Sequence, residues 1–270
     1  MLSWAMSKEN IQDTLPVAIG ARLIKSHAIR TLGLKPNFSD YSSEERRVIR
    51  KAKKIYFPTA FYADLFNTMG KVTFPSFHTY KYVQDKIKQT AIFKILGIPH
   101  PETRVFYGKK QNKTILNHFR FPFIAKKARG SSRGRDVYLI KNMEDLMEYL
   151  SSNKPAYIQE YIPVKRDIRV VVIGKKIKIA YFRESADNDF RTNVSTGGTI
   201  VFDQVPEEAL NLALDTAKKC GWDDVGIDII KKNREFLILE ANMKYGTLGF
   251  RAAGLEYKLM LEKMILAREI

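Results

Sequence analysis

The sequence predicts an α/β (α+β) fold, and three observations carry that expectation. Short apolar runs of strand length alternate with amphipathic segments of helix length along most of the chain, no stretch repeats another, and no low-complexity linker interrupts the alternation. At 270 residues, 45% of them hydrophobic, the chain can bury a sizeable core in one large domain or two small ones.

Each element has a local reason. Ser42 with Glu45 has capping-box spacing, so a helix is expected to start there and end before a strand at Ile55–Pro58. Another helix should stop at Gly70, before the short apolar Val72–Phe74, completing a small βαβ-like unit. An amphipathic helix is expected from Tyr80 to Leu96, with Gly97 placed to end it and Pro99 to prevent its return. Strands are then expected at Arg104–Tyr107, Phe121–Lys127 and Asp136–Ile140, followed by a helix that Asn142 caps. Ala156–Glu160, Ile168–Ile173 and Ile177–Arg183 read as strands, Pro206 opens a helix that Gly221 closes, and two further strands flank Lys231–Arg234. The first boundary is placed near residue 80, giving a small α/β domain over residues 1–80 and a larger one over 81–270.

Composition narrows the class. One cysteine, Cys220, excludes an internal disulfide framework and any multi-cysteine metal site, and it reads as a core residue. The start, MLSWAMSKEN, is too short and too weakly apolar for a signal peptide, and no later apolar run approaches a bilayer span, so no membrane contact and a cytoplasmic location are expected. The formal charge is +17, and it is uneven: residues 81–142 hold fifteen Lys and Arg against three Asp and Glu, whereas residues 143–270 are nearly balanced. Such a segment favours a polyanionic ligand, whether a triphosphate, an acidic substrate or a nucleic acid backbone. A lysine-rich solvated surface is the plainer explanation for most charge runs.

Within that segment lies FPFIAKKARGSSRGRDV, Phe121 to Val137. A P-loop carries Gly-Lys-Ser/Thr after its glycines, and a protein kinase carries its lysine on the next strand together with HRD and DFG; none of these triplets occurs. Here Lys126 precedes the loop, and Gly130, Ser131, Ser132, Arg133 and Gly134 offer backbone N–H groups that can close over phosphate oxygens. Alone, two glycines in a basic loop more often make a plain hairpin.

A second constellation lies near the C-terminus. Val225–Ile230 and Phe236–Asn242 flank a turn, and strand alternation puts Glu240 and Asn242 on one face. Asp228, Glu240 and Asn242 interrupt strands that are otherwise strongly apolar. Burying them separately is costly, and sharing a hard cation such as Mg²⁺ lowers that cost; strand ends pointing into water are the alternative.

Together these features resemble the ATP-grasp superfamily, and within it the RimK-like glutamate ligases. Asp85-Lys86, Lys126 with its glycine loop, Gln159-Glu160-Tyr161-Ile162, Asp167-Ile168-Arg169, Phe190-Arg191-Thr192-Asn193 followed by Gly197-Gly198, and Asp228, Glu240 and Asn242 occur in the family's order over residues 80 to about 255. The resemblance implies an ATP-grasp fold with a small N-terminal α/β domain, a mobile lid subdomain over about 101–163 and a C-terminal antiparallel-sheet subdomain over about 164–270. It implies ATP with Mg²⁺ or Mn²⁺, and a carboxylate–amine ligase that joins an amino acid, glutamate, to a carboxylate-bearing acceptor through an acyl phosphate.

Position by position, the resemblance assigns Lys86, Lys126 and the loop Gly130, Ser131, Ser132 and Gly134 to the ATP phosphates. It assigns Glu160, Tyr161 and Ile162 to the adenine edge and Asp167 to the ribose. Arg183, Arg191 and Asn193 would act on the transferred phosphoryl group, and Asp228, Glu240 and Asn242 would hold the metal. Pro163 departs from the pattern, because a proline has no N–H to give adenine, which leaves Ile162 as the donor. Arg251 is a second candidate for a substrate carboxylate. The four histidines, His27, His78, His100 and His118, show no metal-ligand spacing. Two rival classes stand beside the ligase: a phosphotransferase on the same fold, and a nucleic-acid-binding protein, against which the lack of interleaved aromatics in the basic segment argues. Arg46-Arg47, Arg50-Lys51 and Lys53-Lys54 would form a basic helix face able to meet an acidic peptide, RNA or a partner subunit of a homo-oligomer, or simply solvent.

Overall fold

The computed structural model describes residues 15–130, 136–186 and 197–270. They divide into two compact units. The first holds the chain up to Lys81 together with Gly221–Asp224 and Phe250–Ile270; the second holds Tyr82–Cys220 and Val225–Gly249.

The first unit is built on a parallel sheet of order β2-β1-β3-β4, from β1 (Val17–Ala18), β2 (Arg30–Thr31), β3 (Lys54–Tyr56) and β4 (Val72–Phe74). Between β2 and β3 runs α1 (Ser43–Lys51), and its expected capping box is present in full: Glu45 N donates to Ser42 Oγ at 3.1 Å and Ser42 N donates to Glu45 Oε2 at 2.7 Å. The next helix, α2 (Thr59–Thr68), ends before Gly70, whose φ of +71° suits a glycine. Ile19, Tyr41, Ile49, Ile55, Tyr62 and Phe66 form the core under these elements. The basic residues of α1 do not form one free face: Arg46 donates to the carbonyls of Ser39 and Tyr41, and Arg50 lies over the Phe38 ring. Short helix α3 (Phe77–Lys81) is tied to the returning segment, since the Asp223 carboxylate accepts from Ser76 N at 2.8 Å and Thr79 Oγ1 at 2.9 Å.

The second unit begins with α4 (Lys86–Ile95), and here an expectation is corrected. The helix does not run from Tyr80. Asp85 caps it by accepting from Lys88 N at 3.0 Å, and Gln84 sits at φ +54°, so the chain breaks between α3 and α4. The break frees residues 84–86 to pair with 128–130, through Lys86 N to Ala128 O and Gly130 N to Gln84 O, each 3.1 Å. Gly97, at φ +63°, follows the helix as expected.

Beyond α4, strands β5 (Thr103–Phe106), β6 (Phe123–Lys127), β7 (Val137–Ile140) and β8 (Ala156–Glu160) form an antiparallel sheet of order β5-β8-β6-β7, with a turn of helix α5 (Gly108–Asn112) between β5 and β6 in the chain and α6 (Met143–Ser152) between β7 and β8. Asn142 caps α6, accepting from Asp145 N at 2.9 Å. Phe106, Phe119, Phe123, Ile140, Leu146 and Ile158 fill the space between helix and sheet. The other sheet, of order β11-β10-β9-β12-β13, contains β9 (Arg166–Ile173), β10 (Lys176–Glu184), β11 (Thr199–Val201), β12 (Asp224–Lys232) and β13 (Glu235–Asn242). Helix α7 (Glu207–Cys220) lies on it through Ala209, Ala213, Thr216, Ala217 and Cys220, a stripe of small residues at helical spacing. Cys220 is buried as expected, and burial pushes its thiol up to about 12. Among the described residues, α8 (Leu248–Ala252) and α9 (Tyr257–Leu266) end the chain, and no helix is long and apolar enough to cross a membrane.

Candidate active site

The two sheets of the second unit face each other across a cleft of about 710 Å³, part of it open to solvent. Ile124 and Val137 line it from the β6–β7 hairpin, Ile230 and Leu239 from β12 and β13, and Glu160, Tyr161 and Ile162 from the end of β8. The polar residues Lys126, Gln159, Asp167, Arg183, Asp228 and Glu240 also line it.

Strand register explains how these side chains meet. Asp228 on β12 lies directly opposite Glu240 on β13, so both project to one face, and Asn242 joins them two residues on. The next pair is Ile229 with Ile238, which makes Leu239 the extra residue of a β-bulge. That bulge lets two consecutive residues, Leu239 and Glu240, both line the cleft. The edge of β13 is held where it matters: Gln89 on α4 accepts from Ala241 N at 3.1 Å and donates to Ala241 O at 2.8 Å, and Ile238 N donates to Pro99 O at 2.8 Å.

The first turn of α4 ties three parts of the site together. Its cap Asp85 accepts from Arg129 Nε at 3.1 Å, at the base of the glycine loop. Lys86 is buried, and its Nζ donates to Glu240 Oε1 at 2.9 Å. Lys126 is buried on β6 and donates to Gln159 Oε1 at 2.7 Å. Burial lowers its ammonium to about 8, against the pull of the Glu240 carboxylate.

Beside the lysines lies a buried ion cluster. On β10, Arg183 stands opposite Asp167 of β9 and donates Nε to Asp167 Oδ1 at 2.8 Å; its Nη2 lies 3.1 Å from Asp228 Oδ2. Arg169, two residues along β9, grips both Asp228 oxygens, Nη2 to Oδ2 at 2.9 Å and Nε to Oδ1. Asn242 Nδ2 adds a bond to Oδ2 at 3.1 Å. Burial would raise the Asp228 carboxyl, but Arg169 and Arg183 outweigh it and hold it below the usual carboxylate range. Asp228 and Asp167 in turn hold Arg183 protonated against burial.

The structure thus brings together Lys86, Lys126, Glu160, Tyr161, Ile162, Asp167, Arg183, Asp228, Glu240 and Asn242. Gly130 sits at the mouth of the loop at φ +68°, while Ser131, Ser132, Gly134, Arg191 and Asn193 lie outside the described residues. The Glu160 carboxylate accepts from Glu102 N at 2.9 Å and pairs with Lys232. Arg251 belongs to the other compact unit. Among the histidines, His100 Nδ1 bonds the Ile98 carbonyl at 2.7 Å and His118 meets Arg104 at 3.2 Å, contacts of structural residues. Sequence reasoning assigned no role to Arg169 or to the four aliphatic walls. Strand alternation from Asp167 would have placed Arg169 on the site face.

The model of the RimK-like ATP-grasp domain matches residues 83–265. The chain belongs to that family. Among curated proteins, the RimK-like chain is 30% identical over 170 residues to beta-citrylglutamate synthase B of Danio rerio, covering 59% of this chain and 42% of that one. It is 28% identical over 193 residues to a protein named "probable alpha-L-glutamate ligase" of Legionella pneumophila (strain Corby), covering 69% of this chain and 64% of the other. The chain thus spans less than two thirds of the length of either relative. A solved RimK domain ATP-grasp protein from Sphaerobacter thermophilus DSM 20745 shares the fold, with a TM-score of 0.67 at 14% identity over 93% of this chain and 98% of that one. The two facing sheets and the smaller parallel-sheet unit are therefore those of an ATP-grasp fold.

Proposed function

We propose that this chain is an ATP-dependent carboxylate–amine ligase that forms an amide bond through an acyl phosphate, adding glutamate to a carboxylate-bearing acceptor. The observation that carries the reading is a single cleft with aliphatic walls at one part and, at another, the buried cations Lys126 and Arg183 beside the carboxylates Asp167, Asp228 and Glu240, with buried Lys86 and Arg169 paired to Glu240 and Asp228. The aliphatic part suits a flat purine between Ile124 and Val137 on one side and Ile230 and Leu239 on the other, with the backbone of residues 160–162 at its edge. The cationic part suits a polyphosphate.

The donor chemistry of Asp228, Glu240 and Asn242 fits Mg²⁺ or Mn²⁺: two carboxylates and an amide supply hard oxygens from one face of a register-paired hairpin, and phosphate oxygens would complete the shell. The metal would neutralise charge on the transferred phosphoryl group. Lys126, Lys86 and Arg183 would hold phosphate oxygens, and the apolar walls would exclude water from the acyl phosphate, which water would otherwise hydrolyse. The attacking carboxylate displaces ADP, and the amine then displaces phosphate. No protein nucleophile takes part. Glutamate as the amino acid is supported by the names of both curated relatives.

An ADP-release screen over amino acids paired with carboxylates, including poly-glutamate and acidic peptides, tests the proposal. A new amide formed with ADP and phosphate is expected. A stable phosphorylated product with ADP and no phosphate would make the chain a phosphotransferase, and a preference for glutamine or alanine over glutamate would defeat the assigned amino acid.

A further inference from the structure

Both oxygens of Asp228 already accept from the protein's own donors. Arg169 takes both of its oxygens, Arg183 approaches Oδ2 at 3.1 Å, and Asn242 donates to the same oxygen. A divalent cation that reaches this carboxylate meets Arg169 at both oxygens and competes with it for their lone pairs. We propose that Arg169 is a resident counter-ion that competes with the divalent metal for Asp228, so that the cleft accepts the metal together with nucleotide phosphates and not ahead of them. The inference rests on the reading of Asp228 and Glu240 as metal carboxylates.

Burial makes a counter-ion obligatory. Asp228 is 4% exposed, and an isolated carboxylate so placed is strongly disfavoured. The planar fork of an arginine satisfies both oxygens at once, which a lysine cannot do. The surrounding charges then decide which metal species is admitted. Asp167, Asp228 and Glu240 bring three negative charges, and Arg169, Arg183, Lys86 and Lys126 bring four positive ones, so the cluster is net positive. A bare dication is repelled by such a cluster. A metal complexed to a polyphosphate carries net negative charge and is attracted.

The fold also makes room for this arginine. Strand β12, the neighbour of β9, has Gly226 beside it, and a Cβ there would lie 3.2 Å from Arg169 Cδ and 3.0 Å from Tyr245 Cβ. Gly226→Ala therefore disturbs the seat of the arginine without removing its charge.

The experiment measures protein-bound Mn²⁺ by electron paramagnetic resonance, with and without ADP, in the wild type, Arg169→Gln, Gly226→Ala and Glu240→Gln. The wild type should bind Mn²⁺ alone at least about tenfold more weakly than Mn²⁺ with ADP. Arg169→Gln should bind Mn²⁺ alone about 10- to 100-fold more tightly than the wild type, the range over which groups behind metal ligands tune affinity. Gly226→Ala should shift in the same direction by less. The inference is overturned if the wild type takes Mn²⁺ alone as tightly as with ADP, or if Arg169→Gln, shown to be folded by circular dichroism, leaves the affinity for Mn²⁺ alone unchanged or weaker. Should Arg169→Gln fail to fold, an unshifted Gly226→Ala overturns it. Failure of the underlying metal assignment shows separately, with ADP present, as equal Mn²⁺ binding by Glu240→Gln and the wild type.

Discussion

Lys126 couples stability to pH in a direction opposite to that of most surface lysines. Its ammonium is lowered from 10.5 to about 8 by burial, with Glu240 and Asp228 pulling it back up and Lys86 pushing it further down. Between those two values the unfolded chain holds a proton that the folded chain has released, so this lysine makes stability rise with pH, from about pH 8 until the unfolded lysine also titrates. The full displacement corresponds to about 3 kcal/mol, of which roughly 2 kcal/mol is recovered between about pH 7.5 and about pH 10. Lys126→Met has no such group, so urea denaturation of the two proteins, followed by circular dichroism at both pH values, isolates it. The wild type should gain on the variant by roughly 2 kcal/mol at the higher pH. A difference that stays constant would refute the burial argument. The same titration bears on the proposed phosphate contact: if triphosphate binds the charged form, affinity should be about tenfold weaker at about pH 9 than at about pH 7. Lys126→Arg, which does not titrate there, should bind with no such slope.

Other expectations follow from single contacts. Ser42→Ala removes one half of the capping box at the start of α1 and should cost about 1 kcal/mol in denaturant unfolding. Gly249→Ala would place a Cβ 2.3 Å from Tyr181 Cε1, a ring only 4% exposed, and should destabilise by about 1–3 kcal/mol. Glu240→Gln should reduce turnover by about 100-fold or more while the far-ultraviolet spectrum stays native, because one anionic oxygen is lost where phosphate charge is greatest; normal turnover with Mg²⁺ would end the metal assignment.

What could be read from the sequence was local, and what was missed depends on distant pairing. The capping residues Ser42 and Asn142 and the glycines at 70 and 97 act within a few residues of themselves, and the structure has each where its pattern put it. The helix expected from Tyr80 overran because its amphipathic pattern is continuous, whereas the break at Gln84 exists to let residues 84–86 pair with a segment some forty positions later. Strands β1 and β2 are two residues each, too short to show any alternation, and sheet neighbours alone define them. In the site, the charged and amide residues stood out because they interrupt apolar strands. Ile124, Val137, Ile230 and Leu239 did not, since an aliphatic residue in a strand is the commonest case, and only the bulge at Leu239 turns it toward the cleft.

The basic segment shows how an inference can rest on few of the residues that prompted it. Of the cations in residues 81–142, Lys86 and Lys126 are buried in or beside the cleft, and Arg129 and Lys94 are matched to Asp85 and Glu102. Lys109, Lys110, Lys113, Arg120 and Lys141 are exposed on the surface of the β5–β8 sheet region. A buried cation acts on a ligand in a low effective dielectric, and an exposed one is screened within about 10 Å at ordinary salt. Under the proposed function, two buried lysines would therefore outweigh the larger exposed set in fixing a phosphate. For the proposed anionic substrate the exposed set would act at longer range, on the rate of arrival, and salt should slow capture without altering the contacts made once the anion is bound. Net charge pointed to the candidate site in the sequence, but burial is what would give its cations their effect.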